Sequence, residues 1–370
     1  MKIYHIMLYL FCLVAAKVIV IWKKREIWLI THTKLRWGDN AQAFYNYLKY
    51  NHPEIDIYAV LDRANIEQVD KQNRLLHSSL KANIFIMLAD VLASTHMLNY
   101  FGPHKLLKTS PAIKVWLKHG VTGIKKLYLS SKHEPYDIIC VGSEKEKDLF
   151  INQLNIPGSK LKVTGYARHD LLKEKNSKIT SRTGVLFIPT KRDWLDNDDR
   201  EIYETILFSW INKLKQYNLS IPVKLWLHPG WYKQDLNDIK VSADEMVDVK
   251  TDPQDLLLNT KLLVTDYSSI FFDAALCGVP TIFYQPDRSE FIKMRGLFSD
   301  FAVQRELSII EEEEPLIKNI CLILNDDNYH KVRLEKDRSW ASTYVTKYDG
   351  LSSERIYLEI REQLDNRQAI

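Results

Sequence analysis

The stretch that decides the fold is KLLVTDYSSIFFDAALCGVPTIFYQPD, which covers residues 261–287. Its apolar start, Leu262 to Thr265, is typical of a strand buried on both faces. Helix-capping residue types come next, followed by apolar residues at helical spacing up to Gly278, a residue type that commonly ends helices. A second apolar run, Val279 to Tyr284, predicts another buried strand. The stretch therefore predicts a strand–turn–helix–strand unit of a parallel sheet.

The turn inside this unit carries Asp266, Ser268 and Ser269. A helix that starts there would present its unpaired N–H groups at the carboxyl edge of the sheet, where α/β proteins bind phosphates. The two serine hydroxyls would add hydrogen-bond donors. The same spacing is also compatible with an ordinary helix cap that binds no ligand.

The rest of the chain repeats this alternation of apolar runs and helical patterns, with a capped helix predicted from Asp39 to about Asn51. Strands are predicted at Ile27 to Thr31, Ile55 to Leu61, Asp90 to Ser94, Ile113 to Leu117, Tyr136 to Ser143, Leu161 to Tyr166, Gly184 to Thr190, Lys224 to Leu227 and Val247 to Lys250. No GxGxxG follows the first strand and no Walker A motif is present, which argues against dehydrogenases and P-loop NTPases. We also find no zinc-protease or carboxylate metal pattern, so no metal site is expected.

The length of 370 residues and the polar stretch 171–184 predict two α/β domains joined by a linker. We expect an apolar membrane-associating segment at 1–24, a first domain at 25–175 and a second domain at 184–345. A terminal helix is expected within 346–370. The four cysteines are scattered and form no CxxC pattern, which indicates free thiols in a reducing compartment.

The net charge of +4 is concentrated at the start of the chain, where residues 1–36 hold seven Lys or Arg against one Glu. Residues 3–22 are almost entirely apolar and are followed by the basic Lys23-Lys24-Arg25. A span of ~20 apolar residues is long enough to cross a bilayer, and the basic cluster would keep the body on the cytosolic side. The segment could also be a helix lying in the membrane interface or a first buried strand. We expect attachment to an anionic membrane surface and no nucleic-acid partner.

Polar residues follow predicted strands in both halves of the chain. His119 and Gly120 follow the strand Ile113 to Leu117, within a lysine-rich segment, and the glycine would let a ligand approach the backbone. In the second half, Thr190 and Arg192 end one strand and His228-Pro229 follow another. Each taken alone has a plain structural explanation, such as a turn or a surface ion pair. Two histidines at equivalent strand ends favour a functional site.

The pattern TDYSSxxFDxxxxxxPxIFYxPD at 265–287 is similar to the most recognisable block of the CDP-glycerol glycerophosphotransferases. This family includes teichoic-acid primases and polymerases of Gram-positive bacteria and related capsule enzymes. The His119-Gly120 pair, the Gly165, Arg168 and Asp170 pattern and the closing Asp349-Gly350 also resemble family segments. Lys118 replaces the usual Trp, and the usual Thr-Pro after Gly120 is absent, with Thr122 one place late.

The resemblance implies two facing Rossmann-like doubly wound domains of the GT-B type. It implies transfer of glycerol phosphate, or another polyol phosphate, from a CDP-activated donor to a lipid-linked acceptor hydroxyl, with release of CMP. This work would take place at the cytoplasmic face of the bacterial membrane, without a cofactor. The implied catalytic residues are His119, as the base, and His228. The implied donor-binding residues are Gly120, Thr190, Arg192, Pro229, Asp266, Ser268, Ser269 and Asp273.

Three alternatives remain open at the level of the sequence. The chain could use ribitol instead of glycerol, or it could be a glycosyltransferase of the same fold that uses a nucleotide sugar. It could also be an inactive membrane scaffold, because the Thr-Pro pair after Gly120 is replaced. The nucleotide that the protein binds and turns over would separate these functions.

Overall fold

A computed structural model describes residues 2–33, 36–127, 135–192, 194–195, 206–214, 221–227, 244–248, 250–303 and 307–368. The chain forms two compact units. The N-terminal unit consists of Met1–Gly120, Leu129–Leu171 and Thr346–Ile370, and the C-terminal unit consists of Val121–Tyr128 and Leu172–Val345. The last segment of the chain thus belongs to the N-terminal unit.

The N-terminal unit is built on a seven-stranded parallel sheet with the order β3-β2-β1-β4-β5-β6-β7. Its strands are β1 (Ile27–Thr31), β2 (Asp56–Leu61), β3 (Arg74–Leu76), β4 (Val91–Ser94), β5 (Ile113–Trp116), β6 (Ile138–Val141) and β7 (Leu161–Val163). Its helices are α1 (Lys2–Ile19), α2 (Asp39–Asn51), α3 (Leu80–Leu88), α4 (His104–Thr109), α5 (Glu144–Leu154), α6 (Ala167–Asn176), which continues into the C-terminal unit, and α14 (Ser352–Gln368). Residues Ile356, Ile360 and Leu364 of α14 pack into the core of this unit.

The C-terminal unit has a six-stranded parallel sheet with the order β10-β9-β8-β11-β12-β13. Its strands are β8 (Thr183–Ile188), β9 (Val223–Leu225), β10 (Glu245–Met246), β11 (Thr260–Thr265), β12 (Thr281–Tyr284) and β13 (Ser308–Ile310). Its described helices are α7 (206–214), α8 (Pro253–Leu258), α9 (Ile270–Cys277), α10 (Arg288–Met294), α11 (Ser299–Ala302), α12 (Glu313–Asn325) and α13 (Asp327–Tyr344). Short 3-10 turns lie at Val20–Trp22, Arg63–Gln68, Lys71–Asn73, Leu98–Tyr100 and Gly158–Lys160, all in the N-terminal unit.

The decisive stretch folds as predicted, with β11, α9 and β12 in succession. Residues 262–265 of β11 are all buried because the strand lies between β8 and β12. Gly278 ends α9 in the left-handed conformation with a φ of 90°, which glycine adopts without steric cost. The predicted α/β fold with parallel sheets is therefore confirmed.

One strand prediction is wrong, and the predicted linker holds part of a helix. The predicted strand Val247 to Lys250 lies earlier in the chain, at Glu245–Met246, where it pairs with β9. The predicted linker 171–184 contains the boundary between the two units, after Leu171, although α6 extends to Asn176 and β8 begins at Thr183. The helix-forming Leu-Leu-Lys-Glu-Lys sequence explains this extension, since Leu172 is buried and anchors the helix.

The start of the chain is the helix α1, so the alternative of a first buried strand is wrong. Cys12 and Ala16 are buried on one side of α1, which packs against α3. The opposite side exposes large apolar residues, namely Leu10, Phe11, Val14, Val18 and Ile19. None of the helices in the described residues is both long enough and apolar enough to cross a membrane.

Candidate active site

The two central strands of the N-terminal sheet, β1 and β4, are neighbours at the point where the strand order reverses. From β1 the chain proceeds outward to β2 and β3, and it then returns to β4 on the other side of β1. In doubly wound sheets such a switch point opens a crevice at the carboxyl ends of the strands. His32 follows β1 and His96 follows β4 by two residues, while His119 comes after the adjacent β5.

His119 is held by the buried carboxylate of Asp39. Its Nδ1 contacts the Asp39 carboxylate, and the other Asp39 oxygen accepts a hydrogen bond from Arg168 Nη1 at 2.9 Å. Arg168 Nη1 also donates to the backbone carbonyl of His119. The Asp39 side chain is only 3% exposed, whereas that of His119 is 52% exposed. This arrangement fixes the imidazole through Nδ1 and leaves Nε2 as the nitrogen for proton transfer.

The charge of Asp39 is stabilised by its neighbours. Burial alone would raise its pKa, but the Arg168 guanidinium and His119 hold the pKa of this carboxyl well below its usual range. Asp39 is therefore ionised at neutral pH. An ionised carboxylate at Nδ1 favours the imidazole tautomer with a proton on Nδ1 and a lone pair on Nε2.

The backbone adopts the left-handed conformation at Asp39, with a φ of 58°, and at Lys118, the residue before His119, with a φ of 59°. Such conformations cost energy in residues other than glycine and are concentrated at functional sites. Asn40 holds the two segments together, because its Nδ2 donates to the Lys118 carbonyl at 2.9 Å and its Oδ1 accepts from the Arg168 backbone N–H at 2.9 Å. Asp39 and Asn40, which the sequence predicts as a helix start, are thus part of the site.

The buried Lys118 shows how the chain accommodates a departure from the family pattern. Its Nζ is bound to the Glu146 carboxylate and donates to the Tyr166 hydroxyl at 2.8 Å. Glu146 also accepts a hydrogen bond from the Gly142 backbone N–H at 2.6 Å. A buried charge is tolerated when it is paired and hydrogen-bonded in this way. The cluster supports the backbone immediately before His119.

His32 and His96 belong to the same site and were missed by the sequence reasoning. The ring centroids of His96 and His119 are 4.7 Å apart, and those of His32 and His119 are 6.1 Å apart. Thr95 Oγ1 bonds to Nδ1 of both His32 and His96. Burial lowers the pKa of His32 to about 3 and that of His96 well below its usual value, so both rings are neutral. The available signal was that three apolar runs, each a predicted strand, are closely followed by a histidine.

Three histidines near a carboxylate suggest a metal centre at first sight. Within the described part of the chain, however, no group of three or more His, Cys, Asp or Glu side chains is arranged to hold a metal ion. The contacts of these histidines to Asp39 and Thr95 use their Nδ1 atoms.

In the C-terminal unit, the sheet order reverses between β8 and β11, and predicted donor-site residues follow both strands. The Thr190 backbone N–H donates to both carboxylate oxygens of Asp266 at 2.9 Å. Arg192 Nη1 donates to Asp266 at 2.7 Å, and Arg192 Nε and Nη2 donate to Asp287 at 2.7 and 3.0 Å. The Arg192 side chain is 1% exposed and joins the segments that follow β8, β11 and β12. Its predicted contact with the donor stays a prediction.

The predicted phosphate-binding turn lies directly before α9. Ser268 and Ser269 are half-buried, and Ser268 Oγ accepts a weak hydrogen bond from the Ile270 backbone N–H at 3.4 Å. Ser269 occupies the N-cap position without using its hydroxyl as a cap. Asp273 is buried within α9. Their donor-binding roles stay predictions, and the predicted His228 and Pro229 lie outside the described residues.

Arg168 and Asp170, which follow Gly165 in the family-like pattern, make separate contacts. Arg168 binds Asp39, whereas Asp170 caps α14 by accepting the Ser352 and Ser353 backbone N–H groups at 2.9 and 2.7 Å. Gly165 has a φ of +80°, and a Cβ there would lie 2.6 Å from Ser352 Oγ. The segment that positions His119 therefore also anchors the C-terminal helix.

Two doubly wound α/β units, one of which holds a carboxylate–histidine pair at its switch point, define an enzyme architecture. The profile of the family described as CDP-Glycerol:Poly(glycerophosphate) glycerophosphotransferase matches residues 12–362. The chain belongs to this family of transferases, which confirms the resemblance seen in the sequence.

Relatives agree with this assignment, and a solved structure is similar in fold. The chain is 30% identical over 291 residues to a teichoic acid glycerol-phosphate primase of Bacillus subtilis (strain 168), with 70% of each protein covered. It is 23% identical over 364 residues to a teichoic acid glycerol-phosphate transferase of Staphylococcus aureus, covering 87% of this chain and 89% of the relative. The solved wall teichoic acid polymerase TagF is similar in fold, with a TM-score of 0.70, 18% identity and coverage of 93% and 90%.

Proposed function

We propose that this chain transfers glycerol phosphate, or a similar polyol phosphate, from a CDP-activated donor to a hydroxyl of a membrane-linked acceptor. The reaction would release CMP and would serve teichoic-acid or capsular polymer synthesis. The observation that carries the proposal is the Asp39–His119 pair at the edge of the N-terminal sheet. Family membership supports the donor class, and a variant of the similar polymerase TagF has been solved with CDPG.

In this mechanism His119 is the general base. Its Nε2 takes the proton of the acceptor hydroxyl while that oxygen attacks the phosphorus of the glycerol phosphate group. The new O–P bond forms as the bond between phosphorus and the CMP oxygen breaks, and CMP leaves with the electron pair. Asp39 stabilises the imidazolium that results, and Arg168 keeps Asp39 in place. General-base help of this kind is worth about 10²–10⁴ in rate.

The C-terminal unit would hold the donor. Ser268, Ser269 and the first N–H groups of α9 suit the pyrophosphate, because a helix start favours negative charge. Arg192 supports this region by fixing the Asp266 and Asp287 segments. The remaining donor-side assignments are proposed from the family resemblance: Gly120, Thr190, His228, Pro229 and Asp273.

We further propose that the chain belongs to the GT-B class, with donor binding assigned to the C-terminal unit and acceptor binding to the N-terminal unit. Support comes from the matching construction of the two sheets, which both carry polar residues at the switch point.

Membrane attachment is proposed through the exposed apolar side of α1. A helix that packs one side on the protein and exposes large apolar residues on the other is suited to lie in the membrane interface. Lys17 and Lys24 are exposed on or near this helix and would meet anionic headgroups at the cytoplasmic face. The same attachment would bring the active site close to a lipid-linked acceptor.

The proposal is tested by measuring CMP release from CDP-glycerol by the full-length protein in the presence of bacterial membranes. CDP-ribitol and nucleotide sugars serve as competing donors. We expect CMP release with CDP-glycerol that depends on the acceptor membranes. Turnover of a UDP- or GDP-sugar in place of CDP-glycerol would favour the glycosyltransferase, and failure to turn over any donor would favour the inactive scaffold.

A further inference from the structure

His96 has a place in the site that the proposed reaction does not yet use. Its ring lies 4.7 Å from that of His119, centroid to centroid, with the ring planes inclined at 36°. His119 uses Nδ1 to contact Asp39, and His96 uses Nδ1 to bond Thr95 Oγ1 at 3.0 Å. Both rings are therefore anchored through the same nitrogen, and each keeps Nε2 for another partner.

The His96 ring is held by Thr95, and burial lowers its pKa so that it is uncharged. Thr95 Oγ1 also bonds Nδ1 of the more deeply buried His32, and the Trp116 indole N–H donates to the Thr95 carbonyl at 3.1 Å. The Tyr136 hydroxyl donates to the His96 carbonyl at 2.6 Å. A cation beside His119 would oppose the uptake of a proton by His119, whereas a neutral ring does not. His96 can thus bind a substrate without weakening the base next to it.

We propose that His96 and His119 form a paired-imidazole subsite for an acceptor that carries two hydroxyls on neighbouring carbons. The glycerol end of a poly(glycerophosphate) chain is such an acceptor. His119 takes the proton of the attacking hydroxyl, and His96 Nε2 forms a hydrogen bond with the adjacent hydroxyl. This inference rests on the proposed function and adds to it a residue that positions the acceptor.

The chemistry of the two groups matches. A hydroxyl both donates and accepts, and a neutral imidazole does one or the other at Nε2 according to its tautomer, so the pair forms a hydrogen bond in either tautomer. A bound diol is oriented by this second contact, which places one defined hydroxyl against His119. A site that hydrogen-bonds a substrate hydroxyl discriminates against an analogue that lacks it, because the site's polar group is left unpaired.

The test combines two acceptors with two forms of the full-length enzyme. The acceptors are a lipid ending in glycerol phosphate and its counterpart without the secondary hydroxyl, and the enzymes are the parent and His96→Ala. We expect roughly tenfold lower kcat/KM when either the hydroxyl or His96 is removed, as for loss of one hydrogen bond. Removing the hydroxyl and His96 together should lower kcat/KM no further than removing either one, because both changes remove the same hydrogen bond.

Independent losses would overturn the proposal: if the deoxy acceptor reduces the rate of His96→Ala by the same factor as that of the parent, His96 does not contact that hydroxyl. The control is His104→Ala, which removes an exposed histidine from α4 and should leave both acceptors unaffected. Should His96→Ala melt at the assay temperature, the same cycle is run with His96→Asn, whose shorter amide can keep the bond to Thr95 Oγ1 but does not reach the position of Nε2.

Failure of the proposed function gives a different result. If the parent releases no CMP from CDP-glycerol with any acceptor, including bacterial membranes, the transferase assignment is wrong. If it releases CMP with membranes but never with the glycerol-ended lipid, the diol-acceptor inference alone is wrong.

Discussion

Replacing Asp39 with asparagine removes one charge from the site in the N-terminal unit and keeps the size of the side chain. In the parent protein, the two carboxylate oxygens of Asp39 serve His119 and Arg168. An asparagine amide can donate a hydrogen bond to His119 Nδ1. It would then favour the tautomer with the proton on Nε2, which has no lone pair to accept the proton of the acceptor hydroxyl.

The expected effect is large because both partners are buried. The side chains of Asp39 and Arg168 are 3% and 6% exposed, so asparagine leaves the Arg168 charge without its partner. Breaking a buried pair by removing one partner costs about 3–5 kcal/mol of stability. Loss of a competent base should lower kcat by about 10²–10⁴, which corresponds to about 3–5 kcal/mol of transition-state stabilisation.

The assay is CMP release from CDP-glycerol at a temperature where thermal melting shows that Asp39→Asn is folded. Asp70→Asn is the matched control, because Asp70 forms an exposed ion pair with Lys49 in the same unit. The control should keep its turnover and nearly its melting temperature. Folding lowers the pKa of Asp39. The parent should therefore be more stable than Asp39→Asn at pH values above the normal carboxyl pKa, and this difference in stability should disappear as the pH falls through the pKa that Asp39 has in the folded protein. A stable Asp39→Asn protein with near-normal kcat would refute the role of Asp39.

Three further predictions address other parts of the molecule. The double substitution Ser268→Ala and Ser269→Ala should weaken CDP-glycerol binding roughly tenfold or more in calorimetry. Unchanged affinity would show that the two serines have only a structural role. Hydrogen bonds from Arg355 help to lower the pKa of Asp349 to about 2. Asp349→Asn should therefore reduce the melting temperature at neutral pH, by an amount that vanishes as the pH approaches 2. A difference in melting temperature that does not change with pH would contradict this. Serine substitutions on the exposed side of α1 should reduce the fraction that sediments with membranes without changing the fold, whereas serine at Leu358, an exposed apolar residue of α14, should not. Equal sedimentation of the two variants would exclude α1 as the attachment site. The α1 substitutions are Leu10→Ser, Phe11→Ser, Val14→Ser and Val18→Ser.

Much of the fold could be predicted because the determining patterns are local. The strand β1 and the helix α2 have the predicted bounds, since an apolar run and a helix-start residue mark them directly in the sequence. The short β10 could not be placed, because a two-residue strand carries too little pattern and depends on pairing with β9. Local signals therefore predicted long elements well and short edge elements poorly.

The site was only partly predictable because its contacts are distant in sequence. His119 could be proposed from its place after a strand, but its partner Asp39 lies 80 residues away, where the local pattern predicts a helix start. His32 and His96 become part of the site only through the order of β1, β4 and β5 in the sheet. Arg192 was expected near phosphates, and its buried bonds to Asp266 and Asp287 depend on strand neighbours that no local pattern reveals.

The most direct test of the central claim is the turnover number of His119→Ala, measured by CMP release, alongside calorimetric binding of CDP-glycerol and thermal melting. We predict a ~10²–10⁴-fold lower kcat with donor affinity and melting temperature nearly unchanged, because the base acts on the acceptor and not on the donor. His228→Ala, by contrast, should weaken donor binding as well as rate. Near-normal turnover in a stable His119→Ala protein would contradict the assignment of His119 as the base.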